Sequence, residues 1–261
     1  MTPLVQAFVF LFGAAIGSFL NAAIWRLRTG ETLVKGRSYC PSCKHVLRAK
    51  DLVPVFSFVF LGGKCRYCRS SISPIYPLVE TATGALFLAA AWRLFPSGSD
   101  LFQVTSIASL LLQWYLLSVL VIVFVFDLRY MIIPRQLTLT AMTAALVGNL
   151  ALGVSFWSLL VGTIIGGSLF LLQYLLSRGR WIGEGDIYLG LLMGAILGFP
   201  LVIPALFMAY VSGAAVGTVL LLLKAKGWKS ELAFGTFLTL ATAVTMLWGQ
   251  EIWSWYIGIL L

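Results

Sequence analysis

The sequence predicts an all-α polytopic membrane protein of about eight transmembrane helices, with one small polar segment between the first and second. Three observations carry this reading. Of 261 residues, 60% are hydrophobic and only 10% charged, with a mean hydropathy of +0.98, whereas a soluble domain carries about a quarter charged residues. Apolar runs near the ~20 residues that cross a ~30 Å hydrocarbon core recur along the whole chain. Such runs, folded as soluble helices, would have no polar face to turn toward water.

The spans fall near residues 4–25, 77–95, 102–126, 136–153, 156–177, 187–200, 201–223 and 233–250. The first reads as an uncleaved span, because its arginines follow the apolar run rather than precede it. The sixth is short and is separated from the seventh only by Gly198–Pro204. The closing stretch EIWSWYIGILL either completes the eighth span or lies in the interface, where its tryptophans are at home. This divides the chain into a first transmembrane helix (1–25), a polar segment (26–76) and a larger transmembrane domain (77–261).

Orientation follows from lysine and arginine. With Met1 outside, the inner segments 26–76, 127–135, 178–186 and 224–232 hold 17 of the 18 basic residues. These are Arg26, Arg28, Lys35, Arg37, Lys44, Arg48, Lys50, Lys64, Arg66, Arg69, Arg129, Arg135, Arg178, Arg180, Lys224, Lys226 and Lys229; only Arg93 falls on the other side. That asymmetry is the positive-inside rule. The net charge of +9 is then a matter of topology and calls for no nucleic-acid partner. Contact with anionic membrane lipid on the inner side follows as a by-product.

The polar segment 26–76 holds Cys40, Cys43, Cys65 and Cys68, which are all the cysteines of the chain, as CxxC, 21 residues, CxxC. Two such knuckles are the usual source of four thiolates for a tetrahedral structural zinc. Lys44, Lys64 and Arg66 offset their negative charge. A redox pair and free thiols are the competing readings, and a cytoplasmic face disfavours disulfides. A short segment with little core of its own gains most from a metal staple. His45 reads as a surface histidine. The segment is therefore predicted to be a small cytoplasmic zinc-binding element between helices 1 and 2.

Acids near the spans are few: Glu80, Asp127, Glu184, Asp186, Glu231 and Glu251. Asp127 ends the apolar run LLSVLVIVFVFDLRYMIIP, and a carboxylate there is a functional candidate because its burial is costly. The competing reading is a helix-end acid neutralised by Arg129. Pro134, seven residues on, breaks the helix and opens the next span. Asp186 lies in WIGEGDIYLG at the matching level of another helix. Gly183 and Gly185 are expected to permit a backbone turn and close approach of a substrate strand. The alternative is a plain turn with Asp186 as an N-cap. Two carboxylates facing across a short gap do not both ionise. One stays protonated and the other activates water, as in aspartic proteases.

These motifs resemble, over nearly the whole length, the bacterial type 4 prepilin peptidases, which are bifunctional leader peptidases and N-methyltransferases of the GxGD aspartyl protease family. The resemblance rests on GSFLNAAIWRL (Gly17–Leu27), the paired CxxC motifs, ISPIYPLVE (Ile72–Glu80), FDLRYMIIP (Phe126–Pro134) and GEGDIYLG (Gly183–Gly190). It implies that Asp127 and Asp186 are catalytic and that the four cysteines hold zinc. It implies cleavage of type 4 prepilins or pseudopilins after the glycine that ends a basic leader. It further implies methylation of the new N-terminus with S-adenosylmethionine, at the inner membrane with the site facing the cytoplasm. Two positions depart from the family pattern. Arg135 stands where an acid or asparagine is common, and AFGTFL (Ala233–Leu238) stands for PFGPFL. The second change is expected to touch helix packing.

The methyl-donor site is less legible. No GxGxxG follows a strand, so a dinucleotide-type fold is not supported. Asn21, Glu80 and Tyr76 are the polar groups at the boundary of segment and membrane, with Asn21 and Glu80 as cofactor-binding candidates. The competing reading is that they cap helices or satisfy nearby backbone, and Glu80 is favourable near a helix start in any case. Two other function classes compete with this reading. A proton-coupled transporter would also use buried aspartates, but with inverted repeats and acids at the midplane. A zinc metalloprotease would need an open metal site, and the chain has one histidine and no HExxH.

Overall fold

The computed structural model describes residues 1–32, 36–95, 103–223 and 232–260. Lys35, Lys224, Lys226 and Lys229 of the charge argument, Glu231 among the acids near the spans, and residue 102 at the start of the third predicted span lie outside these residues. The described residues form nine α-helices and no strand: α1 (Pro3–Thr29), α2 (Phe56–Phe60), α3 (Ile75–Leu94), α4 (Val104–Tyr130), α5 (Arg135–Ala151), α6 (Phe156–Ser177), α7 (Glu184–Leu197), α8 (Val202–Leu222) and α9 (Phe234–Leu260).

Five of these helices, α1, α3, α4, α6 and α8, are long and apolar enough to cross a membrane. Five such helices fit a multi-pass membrane protein. The helix α5 has 17 residues and α7 only 14, short of the ~20 that a free-standing span needs. The helix α9 runs on past residue 250 through a kink at Trp248.

The chain divides into two compact units, Met1–Ile122 and Val123–Leu261. In the first, α1 packs along α3. Lipid tails are as apolar as leucine, so membrane helices gain little from hydrophobic burial against each other and rely on close backbone contact. The sequence supplies this through Gly13 and Gly17 on α1 and Gly84 on α3. A methyl at Gly17 would stand 2.7 Å from Cα of Glu80, and one at Gly84 would stand 2.8 Å from the carbonyl oxygen of Phe10. Beside this seam, Phe87 stacks on Trp114 with centroids 4.8 Å apart, and the indole N–H donates to the Phe87 carbonyl.

In the second unit α7 is the central element. It packs against α5, α6, α8 and α9, and Leu189, Leu192, Met193 and Ala195 are fully enclosed. Its glycines 190, 194 and 198 repeat every four residues and meet Gly162 and Gly166 of α6. A methyl at Gly166 would overlap the carbonyl oxygen of Gly190, and one at Gly194 that of Gly162. Neighbours on several sides explain how so short and apolar a helix persists. Its last carbonyls are satisfied from α5, where the Asn149 amide donates to Ala195 and Ile196.

Candidate functional site

Asp127 lies one turn before the end of α4, and its side chain is buried. The chain leaves α4 through Met131, in the left-handed region at φ 52°, and reaches Pro134, which caps α5. The predicted break at Pro134 is therefore present. The Asp127 carboxylate faces the start of α9: the Thr236 N–H donates to Oδ2 at 2.8 Å. Gly235 makes this approach possible, since a Cβ there would stand 2.8 Å from the same oxygen.

Asp186 is buried in the first turn of α7, three residues after the N-cap Gly183. Its Oδ2 accepts the Gly183 N–H at 3.1 Å, the return arm of a capping box. Glycine at the cap has no side chain to complete the other arm. Ile133 links the two acids: its side chain meets Gly185, next to Asp186, and Gly235, which lies against the Asp127 carboxylate. The structure thus brings together the two acids singled out from sequence, and it gives Asp186 the capping contact as well.

The expected reason for the two glycines needs correction. Neither Gly183 nor Gly185 has a positive φ. Gly183 sits at φ −78°, which any residue adopts, and a methyl there meets nothing closer than 3.7 Å. The structure gives no requirement for glycine at that position. Gly185 is required for packing: a Cβ would stand 2.8 Å from Cβ of Ile133. Ile133, in the connection after Asp127, also faces Gly235. One isoleucine thus fits between glycines at the starts of α7 and α9, and these are the helices that carry or contact the two acids.

A second correction concerns the AFGTFL stretch. It touches the carboxylate as well as helix packing. Proline at position 236 would have no N–H, so the hydrogen bond to Asp127 exists because threonine stands there. Sequence reading missed Gly235 and Thr236 as members of the site. The only signal was the departure from the family pattern. Behind Asp186, Tyr210 accepts from the Gln173 amide at 2.6 Å and packs on Phe234, the first residue of α9. At the rim, Glu184 is exposed and accepts from the Tyr188 hydroxyl at 3.0 Å. The Arg135 guanidinium lies 4.8 Å above the Tyr188 ring.

The four cysteines form a separate site. Their sulfurs all lie within 4.8 Å of one another, and Cys40 Sγ is 3.9 Å from Cys68 Sγ. A tetrahedral zinc with ~2.3 Å bonds needs sulfurs about 3.8 Å apart, so the donor set and its spacing fit a metal ion. Both halves fold alike. In the first, the Lys44 N–H returns to the Cys40 carbonyl, Lys44 has φ 59°, and Tyr39 bridges Val46. In the second, the Arg69 N–H returns to Cys65, Arg69 has φ 62°, and Lys64 bridges Ser71. Burial alone would raise the Cys40 thiol, but the backbone N–H groups of Cys43 and Ser42 and the neighbouring thiols outweigh it and bring it down to about 6. The Ser70 hydroxyl and N–H hold the Cys68 thiol below its ordinary value. Thiolates are the form that binds metal. His45 stays outside the cluster and packs, tilted by 30°, on the Tyr67 ring at 3.6 Å between centroids. Asp51 ties the halves together, accepting from Arg66 at 2.7 Å, from Tyr67 at 2.9 Å and from the Arg48 N–H at 3.0 Å.

Asn21 and Glu80 are both buried, and each holds a backbone group. The Asn21 amide donates to the Tyr76 carbonyl at 3.0 Å, and a Glu80 oxygen accepts the Val55 N–H at 2.7 Å. Both contacts satisfy nearby backbone and do not by themselves outline a cofactor cradle.

A multi-pass helical membrane protein with a buried aspartate pair and a cluster of four cysteines is the class this geometry defines. The chain belongs to the type IV leader peptidase family. It matches the bacterial peptidase A24 N-terminal domain over residues 11–94 and the type IV leader peptidase family over residues 114–218. It is similar to the prepilin leader peptidase/N-methyltransferase of Aeromonas hydrophila, with 34% identity over 95% of this chain and 92% of the relative. It is also similar to the proteins of that name from Legionella pneumophila (31%, 95% and 93%) and Bacillus subtilis strain 168 (30%, 95% and 96%). No solved structure matches this chain. Nothing in these likenesses supports a transporter.

Proposed function

We propose that this chain is a prepilin leader peptidase and N-methyltransferase. It cleaves the basic leader of type 4 prepilins or pseudopilins after glycine and then methylates the new N-terminal residue. The observation that carries the reading is the buried pair Asp127 and Asp186, gathered where Ile133 meets the starts of α7 and α9, in a chain of the type IV leader peptidase family.

Two carboxylates sharing one site divide the work of acid and base. The ionised one takes a proton from water as the water oxygen bonds to the scissile carbonyl carbon. The protonated one gives its proton to the carbonyl oxygen. The tetrahedral intermediate then loses its C–N bond: the carboxyl that took the water's proton gives it to the departing amine, and the other carboxylate recovers a proton from a hydroxyl of the collapsing diol. The backbone donors from Thr236 and Gly183 keep each side chain aimed.

The further assignments belong to the same proposal. The helices α5, α7 and α9 bring the spans within residues 77–261 to seven, which with the first span (1–25) makes eight. The N-terminus lies outside, with the zinc segment 26–76 and the aspartates toward the cytoplasm, in the inner membrane. Lysine and arginine distribution supports this orientation. Zinc is held by Cys40, Cys43, Cys65 and Cys68 and is structural, since four thiolates leave no open position. S-adenosylmethionine supplies a methyl group that is already electrophilic. Asn21 and Glu80 remain the candidates at the boundary of the zinc segment, and no transfer step is derived from them.

The test is direct. Purified protein is incubated with a short peptide carrying a basic leader, glycine and phenylalanine, with and without S-adenosylmethionine. The expected products are leader and mature peptide in both cases, and one added methyl on the mature peptide only with the cofactor. An intact peptide after prolonged incubation with folded protein would overturn the peptidase reading.

A further inference from the structure

The short helix α2 raises a problem for a segment in water. Its outward residues Phe56, Val59 and Phe60 lie at i, i+3 and i+4, on one helix face, and are 52%, 65% and 83% exposed. Leu52 and Val53, just before it, are also exposed. Phe58 accounts for the other face: it packs on Gly63, which returns its N–H to the Phe58 carbonyl at 2.9 Å. The exposure of Val59 and Phe60 matches that of Phe8 on α1, which is 68% exposed on a membrane-crossing helix. An aromatic patch of this kind marks a surface that meets something apolar.

Two observations identify what it meets. The first is depth. The Val55 N–H, at the cap of α2, is held by Glu80 at 2.7 Å. Glu80 lies five residues into α3, about 7.5 Å along its axis at 1.5 Å per residue. The helix α3 is long and apolar enough to cross a membrane, and α2 begins beside its first turns. Amphipathic helices that lie in the plane of a membrane sit about 5–10 Å into the headgroup and acyl boundary. The attachment is firm. Val55 has φ 62° and ψ −51°, and the Phe56 N–H closes on the Pro54 carbonyl at 2.6 Å. This is a γ-turn at positive φ, a rare and strained geometry for a β-branched residue. The buried Glu80 carboxylate fastens it.

The second observation is charge. Within residues 36–74 there are seven cations (Arg37, Lys44, Arg48, Lys50, Lys64, Arg66, Arg69) against one acid, Asp51, a difference of +6. Asp51 is internal, its side chain 3% exposed and paired with Arg66. Lys50 and Lys64 flank α2 on either side and are exposed. An apolar face framed by unneutralised lysines suits an anionic phospholipid leaflet.

We infer that α2 is an interfacial helix, with Phe56, Val59 and Phe60 embedded among the acyl chains of the leaflet on the zinc-knuckle side, and with Lys50 and Lys64 against anionic headgroups. The knuckles are thereby held at a fixed height against the membrane.

The test uses the full chain in nanodiscs of phosphatidylcholine with and without phosphatidylglycerol. A photo-crosslinking phenylalanine analogue replaces Phe60 in one variant and Arg69 in another, and bound metal and peptide cleavage report folding. Lipid adducts are expected at position 60 and absent at position 69. The yield at position 60 should rise severalfold with phosphatidylglycerol, and the double change Lys50→Glu, Lys64→Glu should flatten that rise. Adducts at position 60 with the chain itself or with an added prepilin-like peptide, in place of lipid, would overturn the inference. So would hydrogen exchange of the α2 amides as fast in nanodiscs as in an unfolded peptide.

Discussion

Cys40, Cys43, Cys65 and Cys68 are gathered by a stretch of chain with little core, whereas Asp127 and Asp186 are gathered by helices that touch backbone to backbone. Both regions face the same problem of holding charged groups close together. Around the cysteines, the fold is two copies of one tight turn joined by the Asp51 network, and burial alone is too slight to fix such a segment. Around the aspartates, glycines at 162, 166, 190 and 194 let α6 and α7 meet, and those at 185 and 235 let α7 and α9 close on Ile133. The difference teaches where precision comes from in each setting. On the reading proposed above, the cysteine segment relies on metal–ligand bonds, and the aspartate site relies on absent side chains.

The comparison breaks most completely at the acids. Asp127→Asn and Asp186→Asn are each expected to abolish peptide cleavage, a loss of at least the 10²–10⁴-fold that positioned acid–base groups contribute. Both proteins should still reach the membrane folded, because an asparagine oxygen still accepts from Thr236 or Gly183. Near wild-type turnover by either variant would remove that aspartate from the mechanism.

A methyl group should do nearly as much harm. Gly235→Ala puts a carbon 2.8 Å from the Asp127 oxygen and 3.2 Å from Ile133. A displacement of about 1 Å at reacting groups costs on the order of 10²-fold, and that is the expected fall in cleavage rate. Gly258→Ala, on the same helix with nothing within 4 Å, is the control and should be silent. Equal rates for the two variants would mean that close packing at the start of α9 does not position the site.

How far sequence alone reaches is clear from these residues. Apolar runs mark the helices because a bilayer imposes length and composition on each span separately. The spans predicted at 156–177 and 201–223 appear as α6 and α8 within a residue or so. The four cysteines and the two aspartates are visible because their chemistry is rare in so apolar a chain. The start of α7 at Glu184 rather than 187 was not visible, since it depends on the cap that Asp186 makes with Gly183. The roles of Gly185, Gly235 and Thr236 were not visible either. The contact from Thr236 to Asp127 joins residues 109 apart, and no local pattern reports such a pair. The GxxxG spacing of 162 and 166 and of 190, 194 and 198 could have announced the α6–α7 seam.

The thiolate side of the comparison sharpens with Cys65→Ser. If the ion staples residues 26–76, the wild type carries one zinc per chain and the variant none. The segment should loosen because metal binding supplies much of its folding free energy. Methylation is expected to fall first and furthest, with cleavage surviving in part, since the aspartates belong to another compact unit. Metal analysis alongside both activities checks this. A folded, active wild type without zinc, or a Cys40–Cys43 disulfide under native conditions, would sink the assignment.

The smallest effect is expected at Glu184, and it separates two acids of one helical turn. Glu184 and Asp186 both lie in the first turn of α7, yet Asp186 is buried beside Asp127 while Glu184 faces outward to Tyr188. Glu184→Gln keeps the size and an oxygen acceptor, so the Tyr188 hydroxyl keeps its partner and the ring stays under Arg135. What is lost is one negative charge at a helix N-terminus, worth about 0.3–1 kcal/mol. Even if all of it fell on the transition state, cleavage would slow by no more than about fivefold. Steady-state cleavage of the same peptide by wild type, Glu184→Gln and Asp186→Asn places the three on one scale. A Glu184→Gln enzyme as inactive as Asp186→Asn would show that the exposed carboxylate does the chemistry and the buried one only caps the helix.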